Sequence, residues 1–484
     1  MPRSEIPIEA LPAWSLLNNV CFVDTEIAKT GEGRGFGLLI GRSLTTTDGN
    51  SDIPALVTIP SSIILNKEAV EVYAKEDRNF RQLLDVAGHE STRGDILLFL
   101  LVQLAHASAG SHSSAGVSNP WTEYIKFLPG EVPVPTLWTE DERLLLAGTS
   151  LESALKAKLS TLASEFEFIQ DKSSDIPFWN SVLWETGAIR FRDWTLLDAW
   201  YRSRCLELPS SGEAMVPCID MVNHSSNPTA YYEERSGDDV RLLLRPGISV
   251  SKGDEITISY GDDKSAAEML FSYGFLDDAS RKGSLTLPLE TFPDDPLAKA
   301  KLFVFGGQPK VHVALNSEGD IEWKGPFAYL MCVNEEDGLE FRVLQDTEGT
   351  RQLRLFWMDE DVTDRANDFE ALIRSHELWG VFKLRVVTVV QGCLYTHLQR
   401  MQSVVSLDTT DTGVSNIRET CMRAATSLRE IETSLLEKGV EHLENEKSTL
   451  ATDEHVLSYL GSMEATESDL VDREAPNDDE DDFS

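Results

Sequence analysis

Positive charge is scarce in this sequence: 43 lysines and arginines stand against 81 aspartates and glutamates, a formal net charge of −38. A surface of that sign repels phosphate backbones and anionic lipid. Broad, unspecific binding to nucleic acid or membranes is therefore disfavoured, and the charge suits a basic macromolecular partner or simply solubility. Cysteine is nearly as sparse. The six are spread singly, at 21, 205, 218, 332, 393 and 421, with no CxxC pair, so neither a zinc module nor a disulfide framework is expected and the thiols read as reduced and intracellular. Long apolar runs are missing too: those at 96–102 and 386–390 fall well short of the ~20 residues of a membrane span. The N-terminus lacks a basic stretch followed by an apolar core and a cleavage signal, so secretion is not expected. What is present, 41% hydrophobic and 26% charged residues over 484 positions, can furnish two or three ordinary domain cores.

Between residues 20 and 60 glycines punctuate short runs of β-formers at 21–23, 36–40, 55–59 and 62–65, predicting short strands with tight turns. From 79 to about 107 the pattern turns helical, through Leu83, Leu84, Ile96, Leu97, Leu100, Leu101 and Leu104. Thr139 and Glu142 form a capping box that opens another helix, and further helices are expected at 151–167 and 194–207. Strand character returns at 230–233, 240–244 and 255–259, with a hairpin connection at 236–239. Residues 364–446 read as helical again, with an apolar stripe through Phe382, Leu384, Val387, Val390, Leu394 and Leu398. The last 21 residues hold ten carboxylates and one arginine, so like-charge repulsion predicts a disordered tail at 464–484; without it the chain still carries −29.

Two segments carry chemistry. Gly31-Glu32-Gly33-Arg34-Gly35-Phe36-Gly37 is a glycine-alternating loop that permits close backbone approach to a ligand, and a simple tight turn explains it equally well. It lacks the Gly-Lys-Ser/Thr ending of a P-loop, and no strand and helix enclose it in dinucleotide-fold order. The second constellation runs from Asp220-Met221-Val222-Asn223-His224-Ser225 to Tyr260-Gly261 and on to Ser272-Tyr273-Gly274-Phe275. A single histidine is a poor metal site and reads by itself as a core or capping residue. Ser272 is no nucleophile elbow, because the GxSxG pattern is absent. The tyrosines alone would be ordinary aromatic packing.

In that order, the GRGFG loop, a long helical insertion, the NHS segment, Tyr260-Gly261 and FSYGF resemble a SET-domain protein methyltransferase. The closer likeness is to the branch with a split SET core and a helical C-terminal domain, related to the Rubisco large-subunit lysine methyltransferase and to fungal enzymes acting on ribosomal proteins or elongation factors. The resemblance implies an α+β fold: a split SET-domain β core at 15–285 with a helical insertion at about 80–190, an all-α substrate-binding domain at 290–460, and the acidic tail. It implies S-adenosylmethionine as cofactor, no metal, and lysine of a basic, non-histone protein as acceptor, in the cytoplasm or nucleus. Gly33, Arg34, Gly35, Phe36 and Gly37 match the loop lying against the cofactor. Asn223 and His224 match the pair that contacts its adenosine and amino-acid parts, partly through backbone groups. Arg204 matches an arginine near the cofactor and lysine channel, with Arg202 the alternative by a small shift. Tyr260 and Tyr273 match the catalytic tyrosines lining the channel, Tyr260 also touching the cofactor and Tyr273 carrying the hydroxyl essential to transfer. Phe275 matches an aromatic packed beneath the cofactor, and Tyr231 or Tyr232 a third channel aromatic. Lys264-Ser265 stand where relatives carry a more asparagine-like residue.

Physical chemistry agrees with those roles. In-line displacement at a sulfonium needs a neutral amine, an aligned carbon and electrostatic accommodation of moving charge. A tyrosine hydroxyl can accept from the amine, and aromatic walls exclude water. Two alternatives stay open: transfer to histidine, and a catalytically silent SET-like binding protein.

Overall fold

The computed structural model describes residues 5–31, 35–46, 53, 55–108, 117, 119–185, 189–235, 239–277, 283–345, 350–405 and 417–461. The chain divides into two compact units. The first comprises Met1–Leu146, Leu151–Arg281 and Asn416–Ala425; the second comprises Ala147–Ser150, Lys282–Ser415 and Thr426–Ser484.

Among the described residues of the first unit, five short strands precede a helical stretch: β1 (Cys21–Phe22), β2 (Thr25–Lys29), β3 (Phe36–Ile40), β4 (Leu44–Thr45) and β5 (Ala55–Ile59). Six follow it: β6 (Cys205–Leu208), β7 (Gly212–Met215), β8 (Ala230–Glu234), β9 (Val240–Leu244), β10 (Ser249–Val250) and β11 (Glu255–Ile256). The two groups interleave. A four-stranded sheet has the order β1-β5-β9-β8, a three-stranded sheet the order β11-β3-β2, and β10 pairs with β4; every pairing is antiparallel. Leu56, Val57 and Ile59 of β5 and Val240, Leu242 and Leu244 of β9 are buried, so apolar residues from both halves of the sequence share one core and fix the register. The predicted strand at 62–65 is instead a 3-10 turn, Ser61–Ile63. Pro60 precedes it, with no N–H to continue a ladder.

Helices Lys67–Glu76, Arg78–Ala87 and Thr92–Ala107 open the helical stretch, each capped by the side chain before it: Asn66, Asp77 and Ser91 accept from the backbone N–H of Ala69, Phe80 and Gly94. The helical pattern expected over 79–107 is carried by the last two of these. Every residue from Asp95 to Ala105 is buried, which makes this helix the hydrophobic axis of the unit. Asp198, on helix Phe191–Arg204, ties its neighbours together: Arg93 Nη2 lies at 2.6 Å, Lys158 Nζ at 2.8 Å and Arg202 Nε at 3.0 Å. Burial pushes the Asp198 carboxyl up, but Arg202, Lys158 and Arg93 outweigh it and hold it below the usual range. The helix expected at 194–207 stops at Arg204, because Cys205–Leu208 pairs with β7.

The second unit is largely helical, but the all-α expectation needs correction. Among its described residues are two three-stranded antiparallel sheets: β12 (Ser284–Pro288), β13 (Lys310–Leu315) and β14 (Ile321–Lys324), then β15 (Leu339–Gln345), β16 (Arg351–Trp357) and β17 (Glu360–Asp361). Helix Trp379–Val405 buries Phe382, Val387, Val390 and Leu394 of the expected stripe, beside Leu435, Leu436 and Leu443 of helix Glu419–Leu450. Among the described residues no helix is long and apolar enough to cross a membrane, and no group of three or more His, Cys, Asp or Glu side chains is placed to hold a metal ion. The acidic tail and the turn at 236–238 lie outside the described residues.

Candidate active site

Asn223-His224-Ser225 leaves a 3-10 turn, Ile219–Met221, and lies alongside Ile258. The Ile258 N–H donates to the Asn223 carbonyl and the Ser225 N–H to the Ile258 carbonyl, both at 3.0 Å. In such a parallel bridge the residue between the two bonds turns its own N–H and C=O to the opposite edge, and that residue is His224. Its ring is engaged elsewhere. Nδ1 accepts from the Tyr260 N–H at 3.0 Å, which makes Nε2 the donor to Asp277 Oδ2 at 3.1 Å.

Asn223 aims its carboxamide at the glycine loop, donating to the Phe36 carbonyl at 3.2 Å and to Glu255 Oε1 at 2.7 Å. This is why position 37 is glycine: a Cβ there would lie 2.6 Å from Glu255 Oε1 and 2.7 Å from Asn223 Nδ2. Gly35 precedes it at φ +76°, and Phe36 is 44% exposed. Gly33 and Arg34 lie outside the described residues.

Helix Ala266–Tyr273 begins with a capping box between Ser265 and Glu268 and ends at Gly274, whose φ is +82°. No side chain fits there, since a Cβ would fall 2.6 Å from the Pro133 carbonyl carbon. The turn presents Tyr273 and Phe275 to Tyr260. The Tyr260 and Tyr273 rings are 4.6 Å apart, and the Phe275 ring is 6.1 Å from His224 and 6.2 Å from Tyr273. The Tyr260 hydroxyl donates to the Val222 carbonyl at 2.8 Å, the Tyr273 hydroxyl to the Tyr260 carbonyl at 3.2 Å. Burial raises the Tyr260 phenol well above its usual range, Arg204 opposing it and Tyr273 adding to it. Burial also pushes Tyr273 up to about 12, with Tyr232 and Cys205 adding to the effect. Of Tyr231 and Tyr232, it is Tyr232 whose charge bears on the Tyr273 phenol. Lys264 Nζ stands 6.0 Å from the centre of the Tyr273 ring.

No protein-family model matches the sequence. SET domain-containing protein 8 of Schizosaccharomyces pombe is 27% identical over 417 residues, 84% of this chain and 89% of that protein. The Rubisco large-subunit N-methyltransferase of Pisum sativum is 23% identical over 318 residues; the match takes in 63% of this chain and 58% of that enzyme, little more than half its length. The crystal structure of the SET domain of LSMT bound to lysine and AdoHcy superposes with a TM-score of 0.65 at 18% identity, covering 92% of both chains. The chain has the SET fold.

Within this SET core the two candidate arginines separate cleanly. Arg202 is a pillar: besides Asp198 it holds Thr136 Oγ1 at 2.8 Å and the Phe271 carbonyl, and its guanidinium lies 4.4 Å from the Phe271 ring centre. Arg204 is the arginine whose charge reaches Tyr260. Its Nε lies 4.0 Å from Asp220 Oδ2, and neither atom has a hydrogen-bond partner among the described residues. Sequence reasoning missed the group behind it. The Tyr124 hydroxyl donates to Asp220 Oδ1 and accepts from the Cys218 N–H at 2.7 Å. Burial lifts Asp220 to about 6, with Arg204 and Tyr124 pulling the other way. The available signal was one carboxylate inside the apolar run 216–222.

Proposed function

We propose that this chain is an S-adenosylmethionine-dependent protein-lysine N-methyltransferase, acting in the cytoplasm or nucleus on a basic non-histone protein such as a ribosomal protein or translation factor. The observation that carries the reading is the Tyr260–Tyr273 pair, two phenols kept neutral with each hydroxyl proton committed to a carbonyl. The Tyr273 oxygen keeps its lone pairs for an incoming amine N–H.

The residues suit the donor. The outward peptide edge of His224 offers one N–H and one C=O, Phe275 is 37% exposed and offers a ring, and the glycines at 35 and 37 leave the loop backbone on either side of Phe36 bare of side chains. These groups, with Asn223 holding the loop, would seat the donor; Gly33 and Arg34 belong to the same loop by sequence, and Arg204 lies beside Tyr260. When bound, S-adenosylmethionine supplies a sulfonium methyl that is displaced in line. The protein's part is alignment. Tyr273 accepts from the lysine amine and turns its lone pair toward the methyl carbon. Neither tyrosine serves as a base, since burial holds both neutral, so the lysine proton leaves to water before transfer. The rings of Tyr260, Tyr273 and Tyr232 wall the passage against bulk solvent.

Incubation of the purified chain with methyl-labelled donor and fractionated host extract, followed by mass-spectrometric location of the label, tests this reading. Label on lysine of a basic protein is expected. Label on histidine would replace the acceptor, and absence of both donor binding and transfer would overturn the enzyme reading in favour of a silent binder.

A further inference from the structure

The β6–β7 hairpin of the first unit sets two glutamates against each other. Glu207 pairs with Glu213 across it, so both side chains leave the same face, and both residues are exposed. Like charges directly opposite one another weaken an antiparallel pair, and neither carboxylate has an ion-pair partner among the described residues. Glu234 on β8 shows what a carboxylate with a structural duty does here. It accepts from the Ser210 N–H at 2.6 Å, from the Ser211 N–H at 3.3 Å and from the Ser211 hydroxyl, and so ties the turn of the hairpin to β8. Glu207 and Glu213 hold nothing comparable.

Behind the pair lies a hydroxyl without a partner. Cys205, on the same face of β6 as Glu207, closes helix Phe191–Arg204 with an N–H bond to the Tyr201 carbonyl. The Tyr201 side chain is only 5% exposed, and its hydroxyl completes no hydrogen bond among the described residues. Burial, then Cys205 and Glu213, raise this phenol well above its usual range, so the buried hydroxyl is directed at the glutamate pair. The same array reaches the tyrosine pair. Arg202, next to Tyr201, holds the Phe271 carbonyl two residues before Tyr273. Tyr232 shares a face of β8 with Glu234, which holds the hairpin; Cys205 and Glu207 bear on its phenol, and Tyr232 and Cys205 bear in turn on Tyr273.

We propose that Glu207 and Glu213, with the Tyr201 hydroxyl behind them, seat a basic side chain of the protein substrate, arginine ahead of lysine, a few residues along the chain from the lysine presented to Tyr273. A planar guanidinium offers N–H groups to two carboxylates at once, and its charge relieves their mutual repulsion. The inference rests on the reading of the chain as a methyltransferase of a basic protein. It adds a local sequence requirement, read by the SET core beside the tyrosine pair.

The test uses the full chain, methyl-labelled donor and peptides with one central lysine among glycines and serines, carrying arginine, glutamate or glycine at each flanking position in turn. Arginine is expected to lower KM about tenfold relative to glycine, at one or two positions only. That preference should vanish in the paired Glu207→Gln and Glu213→Gln variant, and Tyr201→Phe, which keeps the ring, should reduce it. Glu213→Gln alone should raise the thermal midpoint, because it removes a like-charge opposition; a fall would assign the carboxylates to the hairpin and overturn the seat. Arginine favoured equally at every position, or a preference that survives in the paired variant, would overturn it as well, since attraction would then be diffuse. Fluorescent versions of the same peptides, bound in the presence of S-adenosylhomocysteine, separate this inference from the reading beneath it. Position-dependent arginine preference in binding without transfer keeps the seat and removes the enzyme. Transfer without that preference keeps the enzyme and removes the seat, and neither binding nor transfer removes both.

Discussion

Replacing Tyr273 by phenylalanine removes one oxygen and leaves the ring, so its contacts with Tyr260 at 4.6 Å and Phe275 at 6.2 Å persist. The bond lost from the folded state is a neutral one of 3.2 Å to the Tyr260 carbonyl, worth on the order of 1 kcal/mol. The thermal midpoint should fall by only about 2–4 °C. Transfer should suffer far more. In the proposed function the hydroxyl oxygen orients the attacking amine in a site walled by aromatic rings, where one such interaction made in the transition state contributes about 3 kcal/mol, a factor on the order of a hundred in rate. Calorimetry should therefore report nearly unchanged donor affinity, while single-turnover transfer followed by mass spectrometry slows by about two orders of magnitude. Near-normal transfer by the variant would refute the assigned role, whatever the cost to stability.

Tyr260→Phe should behave differently, destabilising the fold by about 1–3 kcal/mol because the Val222 carbonyl loses its 2.8 Å partner; comparing urea midpoints of the two tyrosine variants checks the order. Gly37→Ala drives a Cβ to 2.6–2.7 Å from Glu255 and Asn223, so donor affinity by calorimetry should drop about tenfold or more while the chain still folds. Asp220 sits at about 6 against an ordinary 3.8, so the folded state binds the extra proton. Its contribution to stability is complete below about pH 4 and is lost as pH rises through about 6, a swing of roughly 3 kcal/mol. Wild type should lose ground to Asp220→Asn over that window in urea melts, and a gain would contradict the assignment. Glu142, with no exposed side-chain surface, is held well below the usual carboxylate range first by Arg418, whose Nε and Nη2 both reach it at 2.8 Å. That stabilisation is full above the ordinary carboxylate pKa and fades only as pH falls through the lowered value. Arg418→Met should cost about 3 kcal/mol and move acid unfolding to higher pH, read by circular dichroism.

Strands β1, β3, β5 and β9 were legible because each is a brief apolar run ended by turn residues, and the Thr139–Glu142 box was legible because capping is a local event. The tyrosine pair was legible through order along the chain. Other features depend on partners that no local pattern names. Cys205-Leu206-Glu207-Leu208 continues the leucine spacing of the helix before it, and only pairing with β7 makes it a strand. The sheets of the second unit escaped because β15 and β16 spend much of their length in solvent, with exposed residues at Glu340, Gln345 and Arg351 that blur the alternation. Arg202 and Arg204 are two positions apart and equally charged, so their separate duties follow from Asp198 on one side and Asp220 on the other. Tyr124 reaches Asp220 across 96 residues, a distance at which sequence spacing carries no signal.

The interleaved sheets of the first unit also constrain how the chain comes to be folded. Thr46 bonds the Arg245 carbonyl 199 residues further on, and β5 lies between β1 and β9. As the chain emerges from the ribosome, β2 and β3 can form their hairpin early, but β5 must wait with one edge unpaired until the whole helical stretch and β9 have been made. Loop closure over such a span is slow, and a waiting edge is an invitation to mispairing. Truncations ending between β5 and β9 should consequently accumulate as aggregates, and chaperone demand should be set by these delayed pairings, of β5 with β9, β4 with β10 and β3 with β11, rather than by the length of the protein.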